Sequence, residues 1–562
     1  MARSRSCGAL NGFRHGLRIR SCIASTAALT LLATLLIACS RASGPTSSTQ
    51  PVRGGNPWTI HGVLRFSEQE EPNTLLKMFS NQEFADDVTA LLFEPFFRFD
   101  DRGRPVPALA TVFPTTANGL VSADGLRITF KLRPDARWSD GAPVTSDDVL
   151  FTWHAIMNPN NPVTHTAGYD KIKTIVAKGL HQVTFVMREP FAPAVYLFSE
   201  GDFPPLPAHL LAGHASLNNI PYDTAPIGDG PFVLSRWDRG SELVFAANPR
   251  YWRGRPRLDQ VRIRIIPSST TALQLLRSHE IDVIDGVPKA QVRELSGIAG
   301  IRIYAHLIAA YRHLDFNLKN PILADVAVRR AIARGIDYQR IIDTVYAGYG
   351  ERAASDIPPF SWAANGLAPI PYDQAEARRI LDQAGWVTGA DGIRAKDGVR
   401  LALTLSSAAG NRAAESAEAL IQQQLHAIGV ELSIKNYAGA VLFNEHGPLF
   451  GGTYDMAWIE NTEGVDPDDL AAWGCDYFPR QGINTDFFCD QRVDAYLRDA
   501  QRRSDQAARR RDYEQAWAIM LDEVPAIIVY WDKSVVVANS DLRNYSLSPV
   551  VTDFWNCWEW EI

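Results

Sequence analysis

The chain has 562 residues, 46% of them hydrophobic, and a formal charge of −7 at pH 7. That length exceeds what one hydrophobic core usually supports, so at least two lobes are expected. An acidic chain lacks the clustered Lys and Arg that phosphate binding needs, which argues against nucleic acid as a partner.

The first segment is basic and free of acids. Arg3, Arg5, Arg14, Arg18 and Arg20 precede an apolar run at 23–38, and Cys39 follows at once. The run is too short for a comfortable membrane span and ends in small residues, the pattern of a secretory signal. Leu36-Ile37-Ala38-Cys39 also resembles a bacterial lipobox, which makes Cys39 the expected site of lipidation and the first residue of the mature chain. Residues 1–38 are read as a lipoprotein signal peptide, and the protein as extracytoplasmic and membrane-anchored through its N-terminal lipid. Removing that segment with its five arginines takes the charge from −7 to −12. Residues 39–56 are small and polar, the composition of a flexible tether.

Beyond the tether, short strands alternate with helices. Residues 126–132 alternate apolar and polar side chains, the period of a half-buried strand. After a loop, Thr145 with Asp148 three residues on predicts a capped helix, its apolar face carrying Val149, Trp153 and Ile156. The Asp147-Asp148 pair is read as helix capping and not as catalysis. Strands at 243–246 and 260–265 flank Asn248–Trp252, and a helix at 270–279 precedes a strand at 281–284. Two helices around 323–346 are separated by Gly335, the second capped by Asp337. Asp373 and Glu376 mark another helix start. Segment 401–435 reads strand, helix, strand, with Gly429 as the stop: a βαβ unit with parallel strands.

Cys475 and Cys489 are the natural disulfide pair in an oxidising compartment, leaving Cys557 unpaired among Trp555, Trp558 and Trp560. No CxxC or ligand-spaced histidine supports a metal site, and no cofactor is expected. GxSxG, HExxH and P-loop motifs are absent from the sequence, so no catalytic residue is assigned.

Several blocks, taken in order, carry a resemblance. Residues 132–141, Leu-Arg-Pro-Asp-Ala-Arg-Trp-Ser-Asp-Gly, run into 144–153, Val-Thr-Ser-Asp-Asp-Val-Leu-Phe-Thr-Trp. Ile227-Gly228-Asp229-Gly230-Pro231-Phe232, Asn248-Pro249-Arg250-Tyr251-Trp252, Glu280-Ile281-Asp282-Val283, Phe316-Asn317, Val328-Arg329-Arg330-Ala331-Ile332, Ile336-Asp337 and 373–386 follow. Together they resemble the dipeptide- and oligopeptide-binding proteins of ABC importers, solute-binding protein family 5, over roughly residues 60–562. The resemblance implies an α/β, two-lobed periplasmic-binding-protein fold, class II-like, with a hinge and an extra subdomain in the first lobe. Lobe I would comprise 57–305 and the C-terminal return 535–562, with lobe II at 306–534. It further implies a monomer that captures a peptide or peptide-like solute and presents it to an ABC permease and ATPase complex. A non-peptide ligand (nickel chelate, oligosaccharide, opine or haem) or a sensory or chaperone-like role are the alternatives.

In peptide binders of this family, a carboxylate shortly after a Trp pairs with the ligand's α-ammonium. Counting forward from Trp458 lands on Asn461, beside Glu460; counting back from Asp466-Pro467 lands on Glu463, which is the first choice for the ammonium partner, with Glu460 the second. The family's Arg for the ligand carboxylate finds its nearest counterpart in Arg412. Glu68 and Gln69 lie on the loop that lines the cleft in relatives, and the acids there hint at a cationic or amine-bearing ligand. Asn317, from the Phe316-Asn317 block, completes the candidate set. Asp466 itself is read mainly as a turn or cap before 469–473.

Overall fold

The computed structural model describes residues 55–562. The expected signal peptide at 1–38, Cys39 and nearly all of the expected tether at 39–56 lie outside the described residues. Within them, eleven strands form one mixed sheet that runs through the molecule. Its first half carries, in spatial order, Val283–Ile284, Val63–Glu68, Gln260–Ile265, Glu242–Ala247 and Phe232–Asp238, the first three mutually parallel. Its second half carries Met456–Thr462, Ala402–Ala408 and Glu431–Tyr437, again parallel. The parallel pair Ala402–Ala408 and Glu431–Tyr437 is joined by helix Arg412–His426, which buries Ala414, Ala417, Ile421 and Leu425 against the sheet. This is the βαβ unit the sequence predicts.

Two long antiparallel strands, Ile301–Phe316 and Ala526–Asn539, lie between the halves and belong to both. At about 3.3 Å per residue a 16-residue strand reaches roughly 50 Å, long enough to serve two lobes. Residues 301–307 pair with 533–539, and 311–315 pair with 526–531. The register shifts between Leu307 and Tyr311, so Ile308, Ala309 and Ala310 bulge opposite Asp532.

Separate cores flank this break. One gathers Leu64, Phe66, Phe96, Phe130, Trp138 and Phe185 with Phe554, Cys557 and Trp560 from the chain's end. A second gathers Leu314, Phe316, Leu405, Ile421, Trp458 and Val529 under the second half-sheet. A third packs helices Gln491–Arg502 and Gln506–Glu523 around Trp473, Tyr513 and Trp517. A three-stranded sheet, Arg127–Lys131, Gln182–Met187 and Ile172–Ala177, stands apart from the main sheet but shares the first core.

Helix Ser146–Ile156 starts on the predicted capping box: the Thr145 amide donates to Asp148 Oδ2 at 2.7 Å. The other Asp148 oxygen accepts from the Ala208 amide at 2.8 Å, so this acid organises the fold. Gly228 and Gly230 press onto the end of helix Phe84–Leu92. A Cβ on Gly228 would sit 1.8 Å from the Leu92 carbonyl oxygen, and one on Gly230 2.5 Å from the Leu92 carbonyl carbon. Close approach of two backbones explains these glycines. Cys475 and Cys489 form a disulfide, their Cα atoms 4.6 Å apart, and Cys557 is a buried free thiol.

Candidate functional site

A cleft of about 1170 Å³ opens at the strand break and takes its lining from both halves of the sheet. The bulge builds its floor. Ile308, Ala309 and Ala310 are small or aliphatic and line it together with Asp532, Lys533 and Ser534 of the return strand. The Ala309 carbonyl, freed from the ladder, accepts from the Glu463 amide at 2.6 Å.

On the second-lobe side, strand alternation decides which candidates face the cleft. Successive side chains along Met456–Thr462 point to opposite faces. Glu460 and Thr462 share the cleft face, and Trp458 lies deeper on the same face. Glu460 binds Arg312 on the neighbouring strand, Nη2 to Oε2 at 2.5 Å. The Arg312 guanidinium lies 5.9 Å from the centre of the buried Trp458 ring, which forms a floor beneath it. Arg412, the first residue of its helix, also lines the cleft; its predecessor Asn411 caps the helix through the amides of Ala413 and Ala414, both at 3.1 Å.

Glu463 lies three residues from Glu460, an odd step, and turns to the other face. It joins Asp356 and Asp469 there, with one oxygen from each lying within 4.8 Å of the others. Burial and mutual repulsion hold Glu463 and Asp469 well above the ordinary carboxylate range, and burial pushes Asp356 up to about 6. Asp356 also accepts from Trp473 Nε1 at 2.8 Å. This trio is the one group among the described residues whose carboxylate oxygens lie close enough together to hold a metal ion.

Three further candidates lie away from the cleft lining. Asn461 faces Tyr311 across the strand pair, on the side opposite Glu460. Asn317 is buried, and its Nδ2 donates to the Tyr454 and Gly452 carbonyls at 2.6 and 3.1 Å, bracing a loop. Asp466 is no cap: Asp469 occupies the N-cap position of helix Leu470–Trp473, while both Asp466 oxygens bind Arg509 at 2.7 and 2.5 Å. A near-dry ion pair of that kind holds the loop to helix Gln506–Glu523.

The first-lobe wall carries Glu68, which ends strand Val63–Glu68 and does not lie on a loop, and Gln69 after it, with Glu83, Asp87, Asp285 and Asp553 around them. Residue spacing gave no sign of the last four, which come from three separate segments. His306 Nε2 sits 3.4 Å from Asp553, and Ser534 Oγ donates to Asp285 at 3.2 Å. Burial, then the Asp553 charge, raises Asp285 to about 7; burial also lifts Glu68 and Asp87 well above their usual range. The site has charged groups for gripping a polar solute from two sides.

Known proteins support that reading of the fold. Residues 104–477 match the model of the bacterial extracellular solute-binding proteins, family 5. The oligopeptide-binding protein AppA of Bacillus subtilis is 25% identical, over 97% of this chain and 99% of its own length. The structure of AppA with a nonapeptide superposes with a TM-score of 0.71 at 24% identity, covering 89% of this chain and 98% of that one. NikZ of Campylobacter jejuni, solved with Ni(L-His), gives 0.75 at 24% identity, covering 90% and 100%. The two half-sheets with their own cores thus correspond to the two-lobed α/β architecture of periplasmic binding proteins, and the chain belongs to the bacterial extracellular solute-binding proteins, family 5.

Proposed function

We propose that this chain is the lipid-anchored, extracytoplasmic receptor of an ABC importer, capturing peptides or peptide-like solutes between its lobes and delivering them to the permease. The observation that carries this reading is the cleft at the strand break, lined by charged groups from both half-sheets. A solute touching both walls stabilises whichever state brings them together, which is how binding drives closure about a hinge. Lobe boundaries near 305–306 and 534–535 fit the place where the ladder between Ile301–Phe316 and Ala526–Asn539 changes register. The similarity to AppA, an oligopeptide-binding protein whose structure holds a nonapeptide, favours an oligopeptide. Cys39, placed directly after the basic and apolar segment 1–38, supplies the anchor through its lipid.

Calorimetry tests the ligand class. Tri- to pentapeptides should bind with one site per chain and a negative heat-capacity change as apolar surface is buried. Binding of nickel–histidine in place of every peptide would transfer the protein to the chelate-binding branch represented by NikZ.

A further inference from the structure

The cleft is electrostatically lopsided. Two of its positive groups are already spent within the protein: Lys289 on Asp532, and Arg312 on Glu460. Arg412 and Lys533 also line it, without an ion-pair partner among the described residues. Five carboxylates, Glu68, Glu83, Asp87, Asp285 and Asp553, crowd the first-lobe wall. None has a Lys or Arg within ion-pair range among the described residues. Their partners are neutral or weak: Thr552 Oγ1 on Asp87, Ser534 Oγ and the Gly286 amide on Asp285, and His306 on Asp553. His306 Nδ1, the other ring nitrogen, is buried with no partner.

Four of these carboxylates are half-buried or buried and converge on one large concavity. Like charges held together in that way are costly unless a cation joins them. Surface acids are not arranged so; these arrive from strand Val63–Glu68, helix Phe84–Leu92, the turn after Val283–Ile284 and the C-terminal return.

We propose that Glu68, Asp87, Asp285 and Asp553 form a cation subsite on the first-lobe wall, which selects solutes that place a basic side chain or amine against it. This rests on the cleft being the solute site, and it goes further by assigning the cation to lobe I and not to the acids that follow Trp458. The opposite, anionic end of such a solute faces Arg412. Burial, then the Asp553 charge, favours a protonated Asp285 carboxyl near neutral pH, with His306 acting in the opposite direction. A cation entering the subsite therefore drives protons out, and binding strengthens as pH rises from 6 to 8.

The test uses the full soluble chain and four probes: Ala-Lys-Ala, Ala-Met-Ala, Ala-Glu-Ala and spermidine. Calorimetry in two buffers of different ionisation enthalpy reads affinity and proton release together. The subsite requires Ala-Lys-Ala to bind about tenfold or more tightly than Ala-Met-Ala, with protons released. Asp285→Asn and Asp87→Asn, each isosteric and checked by thermal melting, should shrink that ratio toward one. Equal affinities for the Lys and Met peptides would overturn the subsite and leave the peptide-receptor reading standing. Spermidine bound tightly, weakened by Asp285→Asn, with no peptide bound, would support the subsite and overturn the peptide reading. Failure of both Ala-Lys-Ala and spermidine to bind would overturn the subsite.

Discussion

Asp466 is the candidate whose role the structure changes most, and the change is measurable. The Arg509 side chain is 3% exposed and that of Asp466 7%, with two charge-assisted hydrogen bonds between them. Arg509 also donates to the Tyr513 hydroxyl at 3.0 Å. Truncation by Asp466→Ala leaves a buried guanidinium with one neutral acceptor. Losing one partner of a buried pair costs about 3–5 kcal/mol. An unfolding entropy of about 2.1 cal/mol/K per residue gives roughly 0.5 kcal/mol/K for one lobe and 1 for both, so the melting temperature should fall by about 3–10 °C. The double replacement Asp466→Leu with Arg509→Met removes both charges and should recover most of that loss. Circular dichroism melts measure stability, and peptide titration of each variant measures binding. A melting temperature within about 1 °C of wild type, together with lost peptide affinity, would refute the reasoning and return Asp466 to the ligand.

Three more outcomes follow from the same contacts. Asp285 is raised by burial to about 7, so the folded state holds more protons than the unfolded chain between pH 4 and 7. Stability from that group is therefore greatest at low pH and lost as pH rises; ligand-free wild type should lose stability relative to Asp285→Asn between pH 5 and 7.5, and parallel melting profiles would contradict this. Gly228→Ala should yield little folded protein because its Cβ meets the Leu92 carbonyl, whereas Gly213→Ala, with nothing within 4 Å, should melt like wild type. Cys39→Ser should abolish lipid attachment and release the chain from membranes or leave it unprocessed, read by fractionation and intact mass.

Local chemistry was the legible part. Thr145 with Asp148, Asp337, and Asp373 with the Glu376 amide all cap helices where side-chain pattern places them. The βαβ unit at 401–435 was equally readable, because apolar period and a stopping glycine agree. The linking strands were not. Ile301–Phe316 has an Ala-Ala bulge in mid-run, and its partner Ala526–Asn539 lies some two hundred residues away, a pairing no local pattern encodes. For the site, counting from Trp458 and back from Asp466 puts Glu463 first and Glu460 second as the ammonium partner. Pleat parity separates them: Glu460 faces Arg312 and the cleft, and Glu463 faces Asp356 and Asp469. Asp87, Asp285 and Asp553 belong to segments far apart in the chain that only the tertiary fold brings together, so no spacing rule reaches them.

The most direct measurement is native mass spectrometry of the protein purified without denaturant from cells that make it. One solute per chain, dissociating to peptide fragments and carrying a basic group, is the expected result. A nickel chelate, a neutral oligosaccharide or haem in its place would contradict capture of a peptide-like cation between the lobes.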